Sequence, residues 1–233
     1  MPVKSKFAIP RQPDDITCGP TCLYSIYQHY GHHKELSKVI DEVPQLGGGG
    51  TLGAWLGLHA LREGFKVSLY TYNLNIFDPT WSLLGHDELI QKLASQIEVK
   101  KRAKIQIASG AYMDFLKAGG EIRFADLSVS LLMEYLMLGI PLITGLSASY
   151  LYRSMREYGK YPVPDDIRGV PQGHFVVLTG CDPSRNVVFV ADPYHPESMT
   201  SGRTYKITIE HLICSILLGV VTYDGNLIVI KKG

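Results

Sequence analysis

The chain lacks the features that mark membrane proteins and secreted proteins. Its 233 residues carry a formal net charge of +1, and only 19% of them are charged. No apolar run reaches the ~20 residues that a membrane-spanning helix needs, because residues 131–146 are interrupted by Glu134, Gly139 and Pro141. The N-terminus has no apolar segment of the secretory type. We therefore expect a cytoplasmic protein with no membrane partner.

Basic clusters and cysteines are also scarce. The one dense basic group, residues 100–104 (KKRAK), is better interpreted as a solvated helix face than as a phosphate-binding patch, so we expect no nucleic-acid partner. Four cysteines are too few for a disulfide scaffold, which favours reduced thiols. Cys18 and Cys22 have the spacing of half a zinc site, but no second Cys pair or His pair completes it. We expect no metal and no cofactor.

Helical patterns fill most of the first half of the chain, and strand patterns dominate the second. A helix is predicted to begin near Cys18, with Thr17 as its N-cap, and to end at Gly31. Two strand-like runs, HFVVLTG and VVFVAD, flank the turn-rich link CDPSRN near the C-terminus. This order predicts an α+β fold in which a helical front half packs on an antiparallel sheet from the back half. We expect a single domain over residues 1–233, with a helical insertion at about 75–128.

Cys18 is the candidate nucleophile. It lies at the predicted start of a helix, where free backbone N–H groups and the helix dipole favour an anion. Such a position is one way to populate the nucleophilic thiolate. The following residues fit this geometry, since Gly19 permits close backbone approach and Pro20 suits a first helical turn. Cys22, Cys181 and Cys214 are interpreted as packing residues.

His174 and Asp192 are the candidate base and its orienting carboxylate. Gly173-His174 opens one predicted strand and Asp192 closes the next. A hairpin folded about Pro183 places residues 174 and 192 opposite each other, so that their side chains share a face. Asp192 would then hold the imidazole in the tautomer that leaves its other nitrogen free for Cys18. No other histidine has a carboxylate in an obvious orienting position.

Gln12 is the candidate second donor for an oxyanion. Acyl transfer needs N–H groups aimed at the developing charge, and the backbone N–H of Cys18 supplies one. Gln12 lies six residues before Cys18, and its side-chain amide could supply another neutral N–H.

The run of four glycines at 47–50 precedes a predicted helix without the Gly-Lys-Ser/Thr of a phosphate loop, so we interpret it as a flexible entry to that helix at the edge of the cleft.

These motifs together resemble a known enzyme family. Q-x5-C-G-P-T-C, followed late in the chain by G-H-F-V-V-L and V-A-D-P, resembles the papain-like cysteine peptidases of the bacteriocin-processing, double-glycine leader peptidase group and its stand-alone members. The segments at 47–67 and 137–146 resemble further parts of that family. The resemblance implies a papain-like cysteine proteinase fold. It also implies that Gln12, Cys18, His174 and Asp192 serve as oxyanion donor, nucleophile, base and orienter.

Three functions are compatible with these residues. The leading one is a cysteine peptidase that hydrolyses a peptide or amide bond of a peptide or protein substrate through a Cys-His-Asp triad and an acyl-enzyme. The second is an acyltransferase or peptide ligase that passes the same acyl group to an amine or thiol. The third is a non-catalytic peptide-binding domain, which the complete set of residues disfavours.

Overall fold

Helices form where the sequence has three-to-four residue apolar spacing. A computed structural model describes residues 3–4, 7–159, 163–194 and 203–233. Short 3-10 helices cover Pro79–Leu83, Pro183–Arg185 and Gly219–Thr222. None of the described helices is both long enough and apolar enough to cross a membrane. The α-helices of the described residues are α1 (Cys18–His29), α2 (Leu36–Glu42), α3 (Gly53–Arg62), α4 (His86–Val99), α5 (Ala103–Lys117), α6 (Val129–Leu136), α7 (Ala148–Tyr152) and α8 (Ile209–Leu218).

One large sheet runs through the centre of the molecule. Its order is β3-β2-β10-β4-β7-β8-β9, with β1 paired to β7, and every neighbouring pair is antiparallel except β2 with β3. A separate two-stranded sheet joins β5 and β6. The strands of the described residues are β1 (Val3–Lys4), β2 (Phe65–Thr71), β3 (Glu121–Arg123), β4 (Leu142–Ser147), β5 (Glu157–Tyr158), β6 (Val163–Pro164), β7 (Gly173–Asp182), β8 (Val187–Ala191), β9 (Thr204–Thr208) and β10 (Asn226–Lys232).

Both faces of the sheet are covered, and this explains why β7 is an almost unbroken apolar run. Phe175 and Val177 belong to a core shared with α1, α3 and α5. Val176 and Leu178 belong to a second core with residues of α6 and α8. A strand buried on both faces shows no alternation of apolar and polar residues. The predicted α+β fold of helices packed on an antiparallel sheet is confirmed, although β2 and β3 from the front half also join the sheet.

The helical segment at 75–128 packs against α3 and shares the buried core that contains residues of α1. Phe115 of α5 lies on Gly57 of α3, where a methyl group would be 2.7 Å from Cε2 of the phenyl ring. Ile76, Leu93 and Phe115 lie in the same buried core as the helix that begins at Cys18. The segment therefore supports α3, which in turn flanks α1 beside the candidate site.

Candidate active site

Cys18 is the first residue of α1 and is buried. Thr17 occupies the predicted N-cap position, but its side chain makes no capping hydrogen bond. Gly19 lets the helix start approach its neighbours closely, since a methyl group there would lie 2.6 Å from Cγ2 of Thr51 and 3.3 Å from Cδ2 of Phe175. One turn later, the thiol of Cys22 donates to the Phe175 carbonyl at 3.3 Å. These contacts hold the start of α1 against the start of β7.

His174 and Asp192 are joined by a hydrogen bond. Nε2 of His174 lies 2.8 Å from Oδ1 of Asp192, and both side chains are buried. The predicted direct opposition of the two residues is wrong, however. The ladder pairs Val177 with Ala191, and one further step places Asp192 opposite Val176. The contact is therefore a diagonal one, across the ~7–8 Å that a long side chain can span on one face of a sheet.

A β-bulge at Thr179 makes this diagonal contact possible. Near the turn, Gly180 pairs with Phe189, whereas beyond the bulge Leu178 pairs with Val190. Thr179 is the additional residue, and its hydroxyl donates to the Phe189 carbonyl at 3.3 Å. If the register at the turn continued through Thr179 without a bulge, Asp192 would lie opposite Val177. Asp192 would then point to the other face of the sheet from His174, because side chains alternate along a strand.

Two tyrosines complete the surroundings of Asp192. The hydroxyl groups of Tyr152 and Tyr205 both donate to Oδ2, at 2.7 and 2.8 Å, and the backbone N–H of Tyr194 donates to Oδ1 at 3.0 Å. A buried carboxylate is stabilised by such donors. Burial and then the charge of Asp192 raise the pKa of both tyrosines, which keeps them as donors. This role is not visible in the sequence, because the tyrosines come from α7 and β9 and no local pattern connects them to Asp192.

The electrostatics around His174 favour its charged form. Burial lowers the pKa of the imidazole, but the charges of Asp192 and Cys18, together with side-chain hydrogen bonds to both, raise it to about 10. Since Nε2 is used by Asp192, the other ring nitrogen is the one available to Cys18. The structure thus brings Cys18, His174 and Asp192 together in the predicted order.

Gln12 is also near this group, through the backbone. Its N–H donates to the carbonyl of Pro193 at 3.0 Å, which ties the N-terminal arm to the loop that follows Asp192. Its side chain is buried, with Nε2 donating to the carbonyl of Asp14 at 2.7 Å and Oε1 without a partner among the described residues. An amide carries two N–H bonds, so one remains after the contact with Asp14. The role of Gln12 as an oxyanion donor stays a prediction.

A cavity of about 270 Å³ opens beside Cys18 and His174. One wall is the loop at 46–51, including three of the four glycines, which therefore edge the cleft as expected. Residues 171–175 also line the cavity. The other lining residues are Asp15, Ile16, Cys18, Lys104, Thr222 and Asp224. Because the candidate nucleophile is among them, a ligand in the cavity would contact it.

Other histidines also have carboxylate partners, contrary to the sequence-based expectation. His59 lies 3.0 Å from Glu42, and His32 lies 2.8 Å from Glu63. The possible metal ligands Glu42, His59 and Glu63 come within 4.8 Å of one another. The ammonium of Lys34, however, already lies 2.6 Å from Glu42 and 2.7 Å from Glu63. The cluster is therefore an ion-pair network that supplies its own cation.

The remaining predictions concern the cysteines. All four cysteines are free, and Cys22 and Cys181 are buried as expected. The interpretation of Cys214 as a packing residue is wrong, because it is exposed on α8. It therefore offers an ordinary surface thiol in the same chain.

Comparison with known proteins connects this geometry to a family. The family model described as "Peptidase_C39 like family" matches residues 4–213. No curated protein matches the chain. Among solved structures, it is similar to the peptidase domain of Streptococcus ComA, a bifunctional ABC transporter involved in quorum sensing, at 14% identity, with 97% of this chain and 99% of that chain covered and a TM-score of 0.49.

Two further solved structures show the same level of similarity. A double-glycine motif protease from an AMS/PCAT transporter, in complex with its leader peptide, has 13% identity, covers 100% of this chain and 98% of that chain, and gives a TM-score of 0.47. A C39-like peptidase from Bacillus anthracis has 13% identity, the same coverage and a TM-score of 0.49. At these identities and TM-scores, the family match carries the assignment.

Proposed function

The chain belongs to the Peptidase_C39-like family, and we propose that it is a cysteine peptidase that cleaves peptides or proteins. Cys18 is the nucleophile in this proposal, His174 the base and Asp192 the group that orients the base. Gln12 and the backbone N–H of Cys18 are the oxyanion donors. The single observation that carries the proposal is the 2.8 Å contact of His174 with Asp192, on an imidazole whose other nitrogen is available to Cys18.

The arrangement can support both halves of an acyl-transfer reaction. In the first half, the Cys18 sulfur attacks the substrate carbonyl carbon while its proton resides on His174, and two N–H groups stabilise the oxyanion. Collapse breaks the C–N bond, and His174 gives its proton to the leaving amine, which leaves a thioester on Cys18. In the second half, His174 takes a proton from water, the hydroxide attacks the thioester, and the carboxylic acid leaves as the proton returns to sulfur.

The buried surroundings of Asp192 support its assigned role. One oxygen of Asp192 accepts from His174, and the other accepts from Tyr152 and Tyr205. The carboxylate therefore has little freedom to turn away from the imidazole. A fixed orienting group keeps the imidazole in one tautomer, which general-base catalysis requires.

Site-resolved alkylation tests the paired thiol directly. Cys18 is buried and Cys214 is exposed, so access alone favours faster labelling of Cys214 by iodoacetamide. We expect the reverse at about pH 6, because the proposed base His174 takes the thiol proton and so promotes attack by sulfur. His174→Ala should remove the preference for Cys18. Labelling is read by mass spectrometry of the peptides that contain each cysteine, so both rates come from one sample.

Peptide cleavage completes the test. A mixture of synthetic peptides is incubated with the protein and with two variants, Cys18→Ala and Cys214→Ala, and new termini are identified by mass spectrometry. Cleavage is expected to disappear with Cys18→Ala and to persist with Cys214→Ala. Products that carry an added amine instead of a new carboxylate would identify an acyltransferase. Labelling of Cys18 no faster than that of Cys214, with or without His174, would refute the paired thiol.

A further inference from the structure

Asp224 is a buried carboxylate in the wall of the cavity that holds Cys18 and His174. It follows the 3-10 helix Gly219–Thr222, and its backbone N–H donates to the Gly219 carbonyl at 2.9 Å. The residue is 8% exposed. The loop before β10 therefore fixes a potential charge beside the nucleophile.

The carboxylate reaches this position because residue 173 is glycine. A methyl group at Gly173 would lie 1.8 Å from Oδ2 of Asp224 and 2.7 Å from Oγ1 of Thr222. A side chain at residue 173 would displace the carboxylate of Asp224 from this position. The residue directly before His174 thus makes room for Asp224 beside the base, and this is a structural reason for a glycine at the start of β7.

The bonding of Asp224 is incomplete within the described part of the chain. Oδ2 accepts a hydrogen bond from the Thr222 hydroxyl at 2.7 Å. Oδ1 has no hydrogen-bond partner there, and no cation of the described residues lies within the 4.0 Å of an ion pair. The nearby ammonium of Lys104 instead donates to the Thr222 carbonyl at 3.3 Å and lies 4.5 Å from the ring centroid of Tyr223.

Such a carboxylate is costly to keep ionised without a partner. Burial raises the pKa of Asp224 to about 7, even though Thr222, Lys104 and His174 lower it. A buried charge is normally paired or hydrogen-bonded, and a perturbed carboxyl group in a cleft is a common feature of binding sites. A cation from outside the chain would supply the missing partner.

We propose that Asp224 is a specificity-determining residue, which binds an ammonium or guanidinium group of the substrate through Oδ1 in the cavity beside Cys18. The inference rests on the proposed peptidase function and narrows its substrate class to peptides with a basic group near the cleaved bond. Asp224 lies outside residues 4–213, which the family model matches, so the family assignment does not include it.

Small thiol reagents test the charge preference without a peptide substrate. The probes are methanethiosulfonates that carry an aminoethyl, an ethyl or a sulfonatoethyl group, used at about pH 8 so that Asp224 is ionised. The rate of Cys18 modification by the cationic reagent is divided by the rate with the neutral one, which cancels the intrinsic reactivity of the thiol. We expect a ratio about tenfold higher at Cys18 than at Cys214.

Three variants sharpen the measurement. Asp224→Asn should bring the Cys18 ratio down to that of Cys214. Asp15→Asn removes the same charge from the exposed rim of the same cavity, where solvent screens it, and should change the ratio by less than about twofold. Lys104→Gln removes one cation of the cavity wall and should raise the ratio, which provides a second measurement if Asp224→Asn fails to fold.

Matched peptides then separate this inference from the peptidase proposal. Pairs that differ by lysine or norleucine are compared at each position around a cleaved bond, with kcat/KM measured for the wild type and Asp224→Asn. If Asp224 has only a structural role, Asp224→Asn should lower kcat/KM equally for both peptides of a pair. If Asp224 binds the cation, the variant should lower kcat/KM for the lysine peptide about tenfold more than for the norleucine peptide. An unchanged lysine-to-norleucine ratio, with unchanged reagent ratios, would overturn the cation site even if cleavage occurs. Absence of any cleavage, with an Asp224-dependent reagent ratio, would refute the peptidase and retain the site.

Discussion

His174 and His59 are almost equally buried, at 6% and 5% exposure, and each has a carboxylate oxygen within 3.0 Å. Their surroundings nevertheless shift the pKa values of the two imidazoles in opposite directions. Burial lowers the pKa of His59, and the hydrogen bond that its Nε2 donates to Glu42 does not reverse this effect. At His174 the charges of Asp192 and Cys18 outweigh burial and raise the pKa to about 10.

Besides the contribution of Cys18, the two histidines differ in their carboxylates. The side chain of Asp192 is 1% exposed, whereas that of Glu42 is 47% exposed and lies 2.6 Å from the ammonium of Lys34. Solvent and a neighbouring cation both weaken the field of a carboxylate. A histidine–carboxylate contact is therefore insufficient evidence for a base, and the solvation of the carboxylate decides how strongly it acts.

Replacing each histidine by glutamine should separate the two clusters most strongly. We expect His174→Gln to lower kcat/KM by about 100- to 10,000-fold, the usual contribution of a general acid–base group. His59→Gln should leave kcat/KM unchanged and lower the free energy of unfolding by about 1–3 kcal/mol, because the Tyr27 hydroxyl loses its partner at 2.7 Å. Peptide cleavage and urea unfolding measure the two effects. Equal losses of activity in both variants would remove the distinction.

The carboxylates provide a second, smaller contrast. Asp192→Asn should lower kcat/KM by about 100-fold, because an amide oxygen still accepts from His174 but carries no charge to stabilise the imidazolium. Glu42→Gln is the matched control, and we expect no change in activity from it. Steady-state kinetics on one cleaved peptide decide the matter. If Asp192→Asn leaves kcat/KM at the wild-type level, Asp192 is only a packing residue.

Tyrosine replacements test the donors around each cluster. Tyr152→Phe and Tyr205→Phe should each lower kcat/KM about fivefold and destabilise the fold by about 1.5–3 kcal/mol, since each removes a hydrogen bond to a buried charge. Because Tyr152 and Tyr205 act as positioning residues, their replacement should also shift the proton resonance of the His174–Asp192 hydrogen bond in NMR spectra. Tyr27→Phe, in the His59 cluster, should leave that resonance in place. A stability loss without any spectral change would indicate a purely structural role.

The pH dependence of stability should carry opposite slopes from the two histidines. The folded pKa of His59 lies below its ordinary value of 6.5, so the unfolded state binds more protons and His59 costs stability as the pH falls below about 6.5. The folded pKa of His174 lies above that value, so its stabilisation is lost as the pH rises from about 6.5 to about 10. Urea unfolding of His59→Gln and His174→Gln should flatten the acid and alkaline sides respectively. The same change in both variants would contradict this assignment.

Local signals in the sequence sufficed for the α+β fold and for the residues that the structure brings together. The start of α1 at Cys18, the glycine before His174 and the strand that ends before Asp192 all depend on neighbouring residues. The register of β7 with β8 did not follow from the sequence, because the bulge at Thr179 has no distinctive residue pattern. The contacts between residues far apart in the sequence also could not be predicted from it.

These contacts share a physical cause. Tyr152 and Tyr205 reach Asp192 from α7 and β9, and Asp224 reaches the cleft from the last loop. The pairing of His59 with Glu42 joins α3 to the C-terminal end of α2. In each case the contact depends on how elements pack, which residue spacing along the chain does not encode.

The bulge at Thr179 works like a correction of reading frame within the protein fold. Closing the bulge by a one-residue slip of residues 173–178 along β8, with Thr179 retained, would restore an ideal ladder and yet turn the orienting carboxylate away from its histidine. The stretch from Gly173 to Asp192 should therefore tolerate length changes in the turn at 183–186 far better than a one-residue insertion between His174 and Leu178. For anyone who grafts or redesigns this hairpin, the register shift at this irregularity is what keeps the two residues in phase.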